Sequence, residues 1–253
     1  GKELGLPCFY KSGESGSASV WEARFTPQEK GTYSYIFRYK EDGKTASETA
    51  PATFKAAKGK GKGILHTADN STLVYDNGEP FRGVGINLCW ESRTNDDSKF
   101  FKALHEQHDR FSYDVMLPDF AANGGNFTRM WMCSWNFPID RKDRFNNHRY
   151  TATAEYMNPS AVSHLDEVIR LAEDLDIKIM LCMGQGDVRA NRGFFNDEDA
   201  KARYRNYLRY IVARWGYSPA IGMWEFFNEI DNIQHRDRNG VIPAAEIVAW
   251  HDQ

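Results

Sequence analysis

Between residues 81 and 227 short apolar runs alternate with segments of helical periodicity, and that alternation leaves few folds open to the chain. The runs occupy 81–90, 126–135, 178–183 and 221–227, and each is followed by helical or loop sequence. The helices are plainest at 159–174 and 198–215. In the first, Val162, Leu165, Val168, Ile169 and Ala172 recur at steps of three and four, and Pro159 takes a first-turn position where its missing N–H costs nothing. In the second, Tyr204, Leu208, Ile211 and Val212 form the apolar stripe, while Arg203, Arg205 and Arg209 fall on other faces and are expected in solvent. A further helix is expected from near Pro243. Repeated strand-helix units imply right-handed crossovers and a parallel sheet, so the expected fold class is α/β. Such a sheet stays open and doubly wound or closes as an eight-stranded barrel. No Gly-x-Gly-x-x-Gly turn follows the first run and no phosphate loop follows any, which disfavours a nucleotide-binding sheet.

Upstream the periodicity changes. Residues 20–25 and 32–39 alternate with period two, and Glu41-Asp42-Gly43-Lys44 supplies a turn, as at the end of an immunoglobulin-like β-sandwich. A complete sandwich of that type needs about seven strands in about 100 residues, so its first strands are expected to be missing here. Residues 55–63 alternate Lys with Gly and Ala. They read as an exposed hinge, not a nucleic-acid patch, because no aromatic residues interleave the lysines. The expected division is a sandwich end at 1–57, a linker at 58–63 and the α/β unit at 64–253. Within the last, 73–81 reads as a small hairpin with Asn77-Gly78 in a type I′ turn.

Composition bears on partners. A formal charge of −3 gives no basic field to collect phosphates, so nucleic acid is not an expected partner. No apolar run is long enough to span a bilayer, so no membrane partner is expected either. Cys8, Cys89, Cys133 and Cys182 lie too far apart for a zinc or redox pair and are expected to be buried thiols. The histidines, His105, His108, His148, His164, His235 and His251 among them, form no metal-ligand set, and neither metal nor cofactor is expected. The 14% aromatic share suits flat apolar faces such as sugar rings, although large cores also consume aromatics.

In parallel α/β folds reactive groups gather at the C-terminal ends of strands. After the fourth run stand Asn228 and Glu229, behind Trp224, Phe226 and Phe227. A carboxyl group against apolar walls is held protonated, as a group that donates a proton to a leaving oxygen must be, and a neighbouring amide can hold a sugar 2-hydroxyl. A helix cap beside a surface acid would read the same way. Arg129 lies inside the second apolar run, where a guanidinium needs a carboxylate partner, either in a structural salt bridge or as the support of a catalytic acid. Trp90, Trp131 and Trp135 are candidates for sugar stacking, and Asn87 and Gln185 for hydroxyl contacts; Glu91 and Asp187 stand nearby as acids. The stretches 105–119 and 140–156 are expected to shape a cleft above the first two strands.

Asn126 with Arg129 on the second strand, then Asn228-Glu229 at the end of the fourth, resembles the clan A retaining glycoside hydrolases, especially the family 5 cellulase and mannanase-like barrels. The stretch 208–219 leading into 224–229 is similar to bacterial members that carry a sandwich before the barrel. The resemblance covers roughly residues 64–253 and implies a (β/α)8 barrel of which only four units are found here. It implies Glu229 as general acid/base, Asn228 on the 2-hydroxyl, Arg129 supporting the nucleophile, and a nucleophilic glutamate on the seventh strand, beyond Gln253. It also implies a poly- or oligosaccharide substrate and a secreted, periplasmic or cell-surface location. Met183-Gly184-Gln185-Gly186 departs from the pattern, because many members place a histidine there. Two alternatives stand beside it: an inactive barrel that binds carbohydrate, and a different barrel hydrolase that pairs Glu229 with Glu91 or Asp187.

Overall fold

The computed structural model describes residues 2–14, 16–91, 104, 111–145, 147, 149–155, 157–184, 195–229 and 243–252. Its centre is a parallel sheet of β9 (Gly85–Ile86), β10 (Phe127–Trp131), β11 (Lys178–Cys182) and β12 (Ile221–Glu225). Spatial order follows chain order, and every pairing is parallel. The helices are α1 (Tyr113–Ala122), α2 (Pro159–Asp174), α3 (Glu198–Trp215) and α4 (Ala244–His251). One core cluster takes in Tyr113 and Leu117 of α1, Leu165 and Ile169 of α2, and Ile211 and Trp215 of α3, together with Met130, Ile179 and Leu181 of the sheet. Among the described residues the strand order is not reversed, and α1, α2 and α3 pack into that one core cluster.

The two longest helices match their expected limits because their caps are local. The Asn158 side chain accepts from the Ser160 and Ala161 N–H groups ahead of Pro159, and Asp197 accepts from the Ala200 N–H. In α3 the stripe is rotated from the expected one. Tyr207, Ile211 and Trp215, at successive steps of four, are buried, Tyr204 and Leu208 are half-buried, and Val212 is 47% exposed. Arg203, Arg205 and Arg209 are exposed, as expected, but Arg214 is buried. Its guanidinium donates from Nε and Nη2 to Asp166 at 3.2 and 2.5 Å, and Trp215 Nε1 donates to the same carboxylate at 2.7 Å. Helix α1 runs through Pro118, held by the buried Tyr113 and Leu117.

All four strands are shorter than the apolar runs that announced them. The first is reduced to two residues at the sheet edge, where Gly85 is required: a Cβ there would stand 2.6 Å from the Phe127 carbonyl oxygen. The second ends at Trp131 because Cys133 and Asn136 close a tight turn, followed by Phe137 at φ 50°.

Ahead of the sheet, β7 (Leu65–Thr67) and β8 (Leu73–Tyr75) pair, and Leu65 and Tyr75 are buried. The turn after β8 is not type I′, which needs two left-handed residues. Only Gly78 is left-handed (φ 86°), and the Tyr75–Glu79 closure makes a three-residue loop with a glycine bulge. The two-residue form occurs instead at Asp42 (φ 48°) and Gly43 (φ 76°), where Glu41 pairs with Lys44. The N-terminal residues form antiparallel pairs: β1 (Phe9–Ser12) with β2 (Val20–Glu22), β3 (Gly31–Tyr35) with β6 (Ala52–Ala56), and β4 (Arg38–Glu41) with β5 (Lys44–Glu48). The expected strand at 32–39 is therefore divided between β3 and β4. Residues 57–62 are exposed and outside helix and strand, although Lys62 reaches Asp176 at 2.9 Å. No described helix is long and apolar enough to cross a membrane.

Candidate active site

The C-terminal ends of the four strands bring together most of the polar residues singled out in the sequence. Alternation sends Met130, Ile179 and Leu181 to the helices and Arg129, Trp131, Met180, Cys182 and Glu225 to the other face. In register, Arg129 stands beside Met180 and Met223, and Trp131 beside Cys182 and Glu225. Arg129 and Glu225 are thus two strands apart, about 9–10 Å of sheet width. The long arginine side chain crosses β11 in the rows that carry only an unbranched Met and a small Cys.

The guanidinium meets Glu225 as a fork. Nε donates to Oε2 at 2.6 Å, and Nη2 donates to Oε1. Nη2 also donates to the Asn228 side-chain oxygen at 2.7 Å. The hydrogen bonds that Arg129 donates to Glu225 raise its pKa above its already high value, so this group is a fixed cation. Asn228 is 4% exposed and anchored a second time, its backbone N–H donating to the Gly184 carbonyl at 2.9 Å. Glycine at 184 has a steric cause: a Cβ there would stand 2.7 Å from the Phe226 carbonyl oxygen and 2.6 Å from the Phe227 ring. Glu229 follows with an exposed side chain and φ 48°, a left-handed conformation that costs a non-glycine residue about 1–2 kcal/mol. The apolar walls expected around Glu229 are not closed by the described residues, since Phe226 is 50% exposed and packs near His251.

Beside the fork stands an aromatic group. Trp90 lies 4.8 Å from Trp131 and 6.0 Å from Trp135, and the Arg129 guanidinium sits 5.1 Å from the Trp131 ring. All three tryptophans are half-buried, and Asn87 is exposed just after β9. Gln185 and Asp187 lie outside the described residues, as do His105, His108, His148 and His235. Among the described residues no cluster of His, Cys, Asp and Glu is placed to hold a metal. Cys133 and Cys182 are buried, whereas Cys8 and Cys89 are half-buried, and none of the four is in a disulfide. Burial, with the Glu225 charge adding to it, pushes the Cys182 thiol up to about 12.

Three further features escaped the sequence reading. Glu225, inside the apolar run 221–227, supplies the carboxylate that Arg129 needed, and only the strand register identifies it. Asn136 is fully buried and links the loops that carry the tryptophans: its Nδ2 donates to the Trp131 carbonyl at 2.8 Å and to the Cys89 carbonyl at 3.4 Å, and its Oδ1 accepts from the Glu91 N–H at 3.3 Å. Glu91 is no loop acid. It is 0% exposed, accepts from the Tyr113 N–H and faces His164 at 3.3 Å. The position of His164 on the apolar face of α2 was the available signal. On the other flank of the loops Asn147 and Tyr150 are buried, and the Tyr150 hydroxyl accepts from the Phe137 N–H.

No family model matches the chain. Mannan endo-1,4-beta-mannosidase A of Podospora anserina is 24% identical over 131 residues, which cover 46% of this chain and 35% of that protein. A structure from Bacteroides vulgatus, provisionally described as a glycoside hydrolase, matches 97% of this chain and 48% of its own at a TM-score of 0.57 and 17% identity. The beta-1,4-D-mannanase of Cryptopygus antarcticus matches 66% of this chain and 44% of its own at a TM-score of 0.44 and 22% identity. The chain spans a third to a half of the length of the proteins it matches, and at these identities the Bacteroides structure establishes a shared fold.

Proposed function

We propose that these residues form the first four βα units of a (β/α)8 barrel, preceded by part of a sandwich built from β1 to β6, in a retaining, mannanase-like glycoside hydrolase. Glu229 is the general acid/base, Asn228 holds the sugar 2-hydroxyl, and Trp90, Trp131 and Trp135 offer faces to sugar rings, with Asn87 and Gln185 in reach of hydroxyls. The nucleophile is a carboxylate of a later strand, supported by Arg129. The observation that carries this reading is the Arg129–Asn228 contact at the end of β12 with Glu229 next in the chain. That contact ties the second and fourth strand ends into one polar centre beside the aromatic group. The unreversed strand order and the shared helix face support the barrel. The name of the Podospora relative makes β-1,4-mannan the first substrate to try. A polymeric substrate places the enzyme in the periplasm, at the cell surface or outside.

In the first step Glu229 gives its proton to the glycosidic oxygen as the C–O bond breaks and the nucleophile bonds to the anomeric carbon. In the second it takes a proton from water as the water oxygen bonds to the anomeric carbon and the bond to the nucleophile breaks, which releases the sugar and restores the Glu229 acid and the nucleophilic carboxylate. The test is Glu229→Gln in the natural full-length protein. Turnover of mannan should fall by about 100- to 10,000-fold, with a much smaller loss in the first step on aryl glycosides whose leaving groups need no proton. Equal losses on both substrates would remove the acid assignment.

A further inference from the structure

We infer that Glu225 is a positioning residue of the site: through Arg129 it fixes which way the Asn228 amide faces, and so makes Asn228 a hydrogen-bond donor toward substrate. The inference rests on the proposed glycosidase reading and adds a residue to it. An asparagine amide has one accepting and one donating end, and nothing in the side chain itself decides between its two orientations. Here the oxygen end is claimed by Arg129 Nη2 at 2.7 Å, and a guanidinium has no lone pair to accept with. The flipped amide would set NH2 against a cation. The Nδ2 end must therefore point away from Arg129, where it can only donate.

Arg129 alone would not impose this, because a long side chain can rotate away. Glu225 removes that freedom. It engages both Nε and Nη2, and Nη2 is the same nitrogen that reaches Asn228. Any rotation that frees Asn228 also breaks the fork. The side chains of Arg129 and Glu225 are 18% and 21% exposed, so solvent competes weakly for the pair. The backbone N–H of Asn228 is held independently by Gly184, which leaves the side-chain amide as the only part of Asn228 that depends on the fork.

The consequence is a coupling between Glu225 and the substrate's 2-hydroxyl, which a merely structural salt bridge would not have. In the natural full-length protein, kcat/KM is compared for an aryl β-glycoside and its 2-deoxy analogue. The parent should prefer the hydroxylated substrate by on the order of 100-fold, because this contact strengthens in the transition state. In Glu225→Gln that preference should fall to about 10-fold or less, on top of any loss that both substrates share through Arg129 and the nucleophile. Arg129→Lys, which keeps the charge but cannot fork, should show the same collapse and serves if Glu225→Gln does not fold. Equal loss on both substrates, or an unchanged preference in either variant, would overturn the inference. The acid role of Glu229 is read separately from leaving-group dependence, so either idea can fail while the other stands.

Discussion

Replacing Asp166 by Asn tests the ion-pair network that joins the N-terminal strands to the helices. Asp166 accepts from Arg214 Nε and Nη2, from Trp215 Nε1 and, at 3.3 Å, from Arg24 Nη1, while Arg24 also donates to the Arg214 carbonyl at 3.1 Å. Asparagine keeps the shape, but it replaces one accepting oxygen with an NH2 group that faces guanidinium donors and leaves Arg214 without a counter-charge. Breaking a fully buried pair costs about 3–5 kcal/mol, and an exposed pair is worth about 0–1 kcal/mol. With side-chain exposures of 27% for Asp166 and 9% for Arg214, a loss of about 2–3 kcal/mol at pH 7 is expected. The pH dependence carries a second signature. Burial by itself would raise the Asp166 carboxyl, but the hydrogen bonds and charge of Arg214, with Trp215 and Arg24, outweigh it and hold the group below its usual value. A depressed carboxylate stabilises the fold above the unfolded pKa of about 3.9 and loses that contribution as pH falls through the folded value. Urea unfolding of parent and variant at a series of pH values should therefore show a constant gap above about pH 5 that narrows at lower pH. A gap under about 1 kcal/mol at pH 7, or one unchanged down to pH 3, would refute the reasoning.

Gly184→Ala should cost about 1–3 kcal/mol in urea unfolding, because the added carbon meets the Phe226 carbonyl and the Phe227 ring and pushes the end of β12 from β11. A cost within about 0.5 kcal/mol would show that the strand ends yield more easily than the contact distances imply. Cys182, held near 12 by burial and by the Glu225 charge, should stay unmodified by iodoacetamide at pH 8 in the folded protein, while the unfolded chain reacts at that position. Peptide mapping by mass spectrometry decides this, and equal labelling in both states would contradict it.

How far the structure was legible from the sequence varied with the range of the interactions involved. Helices α2 and α3 were readable to the residue because periodicity, Asn158-Pro159 and Asp197 are all local. Val212 was misplaced because two stripes one position apart share Leu208 and Ile211, and only packing against the sheet selects the one that ends on Trp215. Strand lengths were overestimated because apolar character outlasts the ladder. After Trp131 the chain stays apolar, but Asn136 takes the carbonyl that a longer strand would have offered its neighbour. The burial of Glu91 could not be read because its partners, the Tyr113 N–H and His164, are 22 and 73 positions distant in the chain.

Arg129 shows the same limit at the candidate site. That a guanidinium inside an apolar strand needs a carboxylate follows from desolvation alone. Which carboxylate it takes was undetermined, since Glu225 and Glu229 lie four residues apart near the end of one strand. Side-chain alternation and register settle the choice. Glu225 shares a face with Arg129 across two parallel pairings, whereas the left-handed backbone at Glu229 carries that side chain outside the ladder into solvent. Nearness in the chain does not separate the two acids; the strand face does, and it gives Arg129 to Glu225.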